Sequence, residues 1–369
     1  MKQVSITYAS VGDNYKEKDP LKVFTQKKAK STRSAIRDTG VIEVTASRGE
    51  SAYVIDLGQY YLASTQEGLG TKNLIADAMM ALGGKKPYYE AMGIDTVATI
   101  VNDLITVGAR PLVVNAHWSL GSNDWFSDKK KFKDLVKGWT KGCLMAGAVY
   151  GGGETPTLQG IVNPTAIELS GSAVGIIRPK KRLIVEENLK VGDAIVLIES
   201  SGIHTNGLSM ARSLASKLPK GYKMKLPSGK FFGDALLTPS HIYVKLVEQL
   251  FLKRVDIHYL SHITGHGWRK IMRAKKVFTY RIYTVPPVQE EFTFIQKHGS
   301  LSTKDMYGIF NMGTAFACFV SPKDAETVVK AAASCSLKSF VAGVVEHGSR
   351  KVVIEPLGIT FEGSSFAVK

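Results

Sequence analysis

Cysteine is nearly absent. Cys143, Cys318 and Cys335 are the only three among 369 residues, and no two stand in C-x-x-C spacing. An odd, scattered set excludes a disulfide framework and a structural zinc site, and leaves each thiol as a small apolar side chain. Long apolar runs are missing too: no stretch approaches the roughly 20 residues that span a bilayer, and MKQVSITYAS lacks a secretory core, so no membrane partner is expected and a cytoplasmic location is. Acidic residues are short as well, 32 Asp and Glu against 48 Lys and Arg, for a formal net charge of +16. That excess suits nucleic acid, anionic metabolites or a merely basic surface. Short clusters stand at Gln26 to Lys30, at KKKFK (129–133) and at PKKR (179–182), but no RNP-like aromatic pattern accompanies them, which argues against nucleic acid as a dedicated partner.

What is present is a globular composition, 44% hydrophobic and 22% charged, and enough length for two or three domains. The chain is organised around STQEGLGTKNLIAD (64–77). Gly68 and Gly70 let backbone N–H groups approach an anion, Thr71 and Lys72 add a hydroxyl and a charge, and Glu67 can hold a hard cation. A helix expected to start near Asn73 would add its positive end. The same residues also suit an ordinary glycine turn before a helix.

Around this stretch, residues 8–20 read as an irregular arm and Leu21 to Ile36 as a short helix. AYVIDL and YYLAS are strands either side of a turn at Gly58. Tyr88 to Gly108 reads as an apolar helix carrying Asp95, Asn102 and Asp103. Steps of seven place Asp95 and Asn102 on nearly one face, with Asp103 about a quarter-turn away. Such groups among apolar neighbours must be paired or bound to a cation, unless they cap or edge the helix. Arg110 to Leu120 is a strand and 128–148 a helix. Gly151 to Thr155 is a bend presenting Glu154, and Thr165 to Ile177 is a strand. The basic linker 178–182 follows, and we place the domain boundary there, giving 1–177 and 178–369. In the second half, Ser200 to Leu214 is a loop and helix forming a plausible anion pocket. Leu236 to Leu250 is an amphipathic helix, Tyr259 to Met272 strand, turn and helix, and Met306 to Val320 a strand. The whole is α+β, not a doubly wound sheet.

Seven motifs, EGLGTK (67–72), GIDTVATIVNDLITVGARPL (93–112), GGET (152–155), SSGIHTNGLSMAR (200–212), LLTPSHIYVK (236–245), HITGHG (262–267) and MYGIFNMG (306–313), occur in the order in which the sequence resembles the aminoimidazole ribonucleotide synthetase (phosphoribosylformylglycinamidine cyclo-ligase) family of purine biosynthesis. Its wider superfamily includes formylglycinamidine synthase, selenophosphate synthetase, hydrogenase maturation proteins and thiamine-monophosphate kinase. The resemblance implies a two-domain ATP-using synthetase fold: an N-terminal α/β domain forming a dimeric sheet, so a homodimer, and a C-terminal α+β domain that closes on the substrate. It implies ATP and Mg2+ as cofactors and a phosphorylated ribonucleotide as the small-molecule substrate, with ring closure through phosphorylation of an amide oxygen. By the same resemblance Gly68, Gly70, Thr71, Lys72 and Asn102 belong to the nucleotide site, and Glu67, Asp95 and Asp103 bind the metal. Ser201, Gly202, Asn206, Thr264 and Gly265 face the substrate, while Glu154, His204 and His262 are implied as the catalytic residues of the reaction cleft.

The sequence departs from that family at five places. Glu67 replaces the usual Asp, and a GGFG-type run is not visible in VTASRGESAYVIDL. GGETPTLQG and SGIHTNG differ from the usual loops, and His266 replaces the middle glycine of HITGGG. These bear on the substrate more than on the ATP chemistry. Two other readings stand beside cyclo-ligation: a related ATP-using enzyme with another substrate, and a basic binding protein that kept the fold.

Overall fold

A computed structural model describes residues 15–366. Residues 8–14 of the expected arm lie outside that range, and from Tyr15 the chain is helical. The first half runs α1 (Tyr15–Lys30), β1 (Ile42–Glu43), β2 (Tyr53–Asp56), β3 (Tyr61–Gly68), α2 (Lys72–Ala81), α3 (Tyr88–Leu104), β4 (Arg110–Leu120), α4 (Lys129–Ala146), β5 (Val149–Glu154) and β6 (Ile167–Ile177). Its strands form one sheet, β1-β2-β3-β6-β4-β5, antiparallel except for the β4–β5 pair. The expected hairpin is there, Asp56 opposite Tyr61, with the Gly58 N–H donating to the Asp56 carboxylate at 2.9 Å. In β6 burial alternates residue by residue. One face therefore packs inward and the other stays half-open, as a one-sided antiparallel sheet requires.

That inner face is covered by α3, almost wholly buried from Tyr88 to Leu104. Its burial rests on close approach by α4: a Cβ on Gly93 would lie 2.4 Å from the Trp139 nitrogen, and one on Gly138 would lie 2.0 Å from the Glu90 carbonyl oxygen. Backbone contact at those points brings α3 to the centre of the molecule, with its far side free to meet the second half.

The second half runs β7 (Ala194–Glu199), α5 (Leu208–Ala215), α6 (Phe232–Leu236), α7 (Val244–Leu252), β8 (Ile257–His262), β9 (Phe278–Ile282), α8 (Glu290–Gly299), α9 (Thr303–Ile309), β10 (Thr314–Val320), α10 (Ala325–Ser334), β11 (Ser339–His347), β12 (Lys351–Ile354) and β13 (Ile359–Glu362). A second sheet has the order β13-β12-β9-β11-β7-β10-β8. β8 and β10 are buried along their whole length, covered on both faces.

Four local expectations are corrected. The helix over Leu236 to Leu250 is broken: α6 stops at Leu236, α7 starts at Val244, and the intervening loop contains Pro239, whose ring and missing N–H disfavour a helix interior. Gly151 to Glu154 is not a bend but the end of the edge strand β5. Met306 to Ile309 closes α9, and the strand begins only at Thr314. After HITGHG the chain makes a 3-10 turn, Gly267–Met272, instead of an α-helix.

Candidate active site

Helix α3 presents its polar residues in two directions, and the two sets end in different surroundings. Asp103, with Thr99 one turn before it, faces a cavity of about 220 Å³ between the halves. From the first half the wall includes Glu67, Gly68, Gly70 and Thr71, and from the second Asn206, Gly207, Ser209 and Thr264. β3 carries Glu67 to the rim as its penultimate residue, and Gly70 turns the chain into α2 at φ +72°, where a side chain would be strained. Gly207, at φ +82°, makes the matching turn into α5. Two glycine turns thus aim backbone N–H groups and helix N-termini at one space.

The acids in that space perturb each other. Burial and the Asp103 carboxylate, with which Glu67 is in hydrogen-bond contact, push Glu67 up to about 8 against the opposing pull of Lys270 and Arg273. Asp103 goes the other way. Burial alone would raise it, but a 2.7 Å hydrogen bond from His262 Nδ1, together with the charges of His262, Lys270 and Arg273, holds it below the usual carboxylate range. Glu67 therefore keeps a proton near neutrality that a divalent cation could replace. Among the described residues no group of three or more His, Cys, Asp or Glu forms a metal cage. Two carboxylate ligands with an open side fit magnesium, which takes few protein ligands and completes its shell with water and phosphate oxygens.

The other polar residues of α3 do not reach this cavity. Asp95 is fully buried and ion-paired, Oδ2 to Lys72 Nζ at 2.8 Å, and its other oxygen accepts from both the N–H and the hydroxyl of Ser240. Lys72 also donates to the Thr238 carbonyl at 3.0 Å. Asn102 donates to the His241 carbonyl and accepts from the Tyr243 N–H, at 2.8 and 2.9 Å. Lys72, Asp95 and Asn102, expected on phosphate, on metal and in the nucleotide site, thus bond within the chain here and do not line the cavity. All three grip the backbone of residues 238–243, the loop that replaces the expected helix. A lysine and an aspartate this deep are tenable only as a pair.

The substrate-facing expectations divide similarly. Asn206 and Thr264 line the cavity, whereas Ser201, Gly202, His204 and Gly265 do not. Ser201 donates its hydroxyl to the Pro239 carbonyl at 2.6 Å. Gly202 lies against Glu291, whose Oε1 would be 2.6 Å from an added Cβ. His204 is buried, and its Nε2 accepts the N–H of Ser201 at 3.1 Å and of His241 at 3.4 Å. Burial, aided by the charges of His241, Lys72 and His262, keeps that imidazole well below its usual pKa. In this structure it is a neutral group that fastens the loop and does not line the cavity. His262 stands behind Asp103, bonded to its carboxylate, and does not itself line the cavity. Glu154 is exposed at the end of edge strand β5 and outside the cavity, its carboxylate accepting the N–H of Thr155 at 3.0 Å.

Sequence reasoning missed Thr99, Thr205, Ser209 and the cationic pair Lys270 and Arg273. Thr99 had a signal, since it sits four residues before Asp103 and so on the same helix face. Ser209 stands two residues after the NG turn, in the first turn of α5. Lys270 had none, because only the 3-10 turn after HITGHG carries it back beside the acids; burial and the Arg273 charge lower its ammonium to about 8.

Comparison with known proteins agrees over most of the chain. Family models described as AIR synthase related protein match at residues 49–177 for the N-terminal domain and 190–355 for the C-terminal domain. The phosphoribosylformylglycinamidine cyclo-ligase of Pyrococcus furiosus is 34% identical over 358 residues, covering 96% of this chain and 99% of that one. The same-named protein of Carboxydothermus hydrogenoformans is 35% identical, covering 82% and 86%. Among solved structures, a HypE–HypF complex matches with TM-score 0.59 at 19% identity, covering 85% of this chain and 92% of that chain. AaThiL complexed with AMPPCP and TMP matches with TM-score 0.57 at 16% identity, covering 85% and 90%. These last two show likeness of fold.

Proposed function

The chain belongs to the AIR synthase related protein family, and from that premise we propose that it is a phosphoribosylformylglycinamidine cyclo-ligase, closing the imidazole ring of aminoimidazole ribonucleotide at the expense of ATP. The observation that carries the reading is the Glu67–Asp103 acid pair at the meeting of two glycine turns, one from each half. The names of the relatives support the acceptor. The nucleotides in the titles of structures sharing the fold support the donor.

The γ-phosphoryl group of ATP passes to the formyl amide oxygen of formylglycinamidine ribonucleotide. The amidine-derived nitrogen then attacks the activated carbon, and inorganic phosphate leaves with that oxygen as the ring closes. No protein nucleophile is needed, so the chain's task is to orient two phosphorylated molecules and neutralise charge. The turns at Gly70 and Gly207 offer backbone N–H donors to phosphate oxygens, with the hydroxyls of Thr71 and Thr264 beside them. His262 fixes the orientation of Asp103, and Lys270 offsets negative charge at the acid pair. Glu67 and Asp103 would hold magnesium, which supplies charge neutralisation for the transferring phosphoryl group.

Two subordinate proposals go with this. The division into 1–177 and 178–369 separates a nucleotide-binding, dimerising unit from one that closes over the acceptor, and the half-open face of the first sheet is the surface a homodimer would cover. A cytoplasmic setting accords with a phosphorylated metabolite as substrate; among the described residues no helix is long and apolar enough to cross a membrane.

The test is a coupled assay on the purified protein with magnesium and ATP. The expected result is one ADP and one aminoimidazole ribonucleotide per formylglycinamidine ribonucleotide consumed. ADP release without ring closure, or only with a different phosphorylated acceptor, overturns the reading.

A further inference from the structure

Beyond the acid cavity lies a second cleft of about 960 Å³, between the end of α2 and the outer side of α5. Its lining includes Thr71, Ser209, Arg212, Ser213, Lys220 and Tyr222, and no acidic residue. Ser209, Arg212, Ser213 and Ser216 recur at intervals of three and four, so one edge of α5 offers a row of hydroxyls around a guanidinium.

Arg212 differs from the other half-buried arginines. Arg48, Arg182 and Arg281 each pair with a carboxylate, and Arg350 is spent on backbone carbonyls. Among the described residues no carboxylate lies in salt-bridge range of Arg212, which instead meets the phenol of Tyr222. A guanidinium among hydroxyls with no acid nearby is arranged for an oxyanion, and a fork of N–H donors matches phosphate.

The cleft adjoins the acid cavity across a shared wall. Thr71 and Ser209 line both, with their hydroxyl oxygens 3.5 Å apart. Ser209 and Arg212 are one helical turn apart, so a molecule lying across that shared wall would have one end at the acids and its other end at the arginine.

We propose that this cleft is a phosphate-monoester subsite that anchors the acceptor by its phosphate, with Arg212 as principal contact and Lys220 and Tyr222 beside it. This rests on the cyclo-ligase reading for the identity of the acceptor, whereas the anion chemistry rests on the cleft alone. The phosphate belongs to the acceptor and not to ATP, because a metal-bound triphosphate needs the carboxylates, and these lie in the first cavity. A monoester without a metal needs the charge of arginine and lysine instead.

The experiment compares wild type with Arg212→Ala, Arg212→Lys and Lys220→Ala in steady-state kinetics, alongside calorimetric titration with ribose 5-phosphate. Expected is a rise in KM for formylglycinamidine ribonucleotide of about 10- to 100-fold in Arg212→Ala, as for loss of a charge-assisted hydrogen bond. Arg212→Lys should recover part of that affinity, Lys220→Ala should show a smaller rise, and KM for ATP should hold in all three. Ribose 5-phosphate should bind wild type and fail to bind Arg212→Ala. A rise in KM for ATP alone would assign the cleft to the nucleotide, and no change in either KM would leave it without a ligand; each overturns the proposal. Because Lys220 is exposed, its variant keeps the test valid if Arg212→Ala fails to fold. If wild type closes no ring, the function reading fails by itself, and the ribose 5-phosphate titration still decides whether the cleft takes a phosphate.

Discussion

Helix α3 carries two aspartates, Asp95 and Asp103, on one rigid element, and they meet opposite fates. Asp95 is saturated: Lys72 neutralises it and Ser240 occupies its other oxygen. Asp103 is oriented by His262 but left open to a cavity in which a second carboxylate, Glu67, competes with it for charge. The first arrangement fastens one half of the molecule to the other. The second leaves two interacting acids facing open space, the arrangement that the proposed function completes with a magnesium ion. Residue type and burial are the same in both, so what separates structural acid from functional acid is whether its partners complete it within the chain.

Three substitutions would break this contrast, taken from the largest expected effect downward. Asp103→Asn should lower turnover by about 10²- to 10³-fold, as for removal of a single transition-state stabilising group, with the thermal midpoint near that of wild type. Should the variant unfold early while its folded fraction stays active, Asp103 belongs with Asp95. Lys72→Met should do the reverse. It leaves a buried carboxylate without its cation and costs about 3–5 kcal/mol in denaturant unfolding. A stable Lys72→Met protein that has lost only ATP affinity would return Lys72 to the phosphate site. Asn102→Ala should be milder, roughly 1–3 kcal/mol, because it orphans the His241 carbonyl and the Tyr243 N–H without stranding a charge. Unfolding curves with unchanged slope would attribute that loss to the loop contact.

The same contrast measures how much was legible in the sequence. The strands, the two glycine turns and the helical spacing of Asp95, Asn102 and Asp103 could be read because they depend on local sterics and periodicity. Spacing alone even set Asp103 a quarter-turn from the other two. What it could not give was the group opposite each face. Loop 238–243 lies well over a hundred residues from α3, and it forms only because Pro239 interrupts what otherwise has the pattern of a continuous amphipathic helix. Proline was the available signal, and the apolar spacing on either side outweighed it. Lys270 was invisible for a related reason: its place beside the acids depends on the turn at His266, which adopts φ +69° although it is not glycine.

The finest test separates the two acid sites by pH. Glu67 titrates near 8 in the folded chain and at its ordinary value of about 4.5 when unfolded. Between those values the native state holds a proton that the unfolded state has released, so folding is favoured below the lower value. That advantage is lost as pH rises through 8. Without ligand, the thermal midpoint should therefore fall from pH 5 to pH 8 more steeply in wild type than in Glu67→Gln, in which that proton cannot be released. Magnesium with a nonhydrolysable ATP analogue should flatten the wild-type slope, because a cation held by Glu67 and Asp103 takes over from the proton. Parallel slopes in wild type and Glu67→Gln would mean that the acids are too far apart to share charge. The open pair would then be as self-sufficient as the closed one.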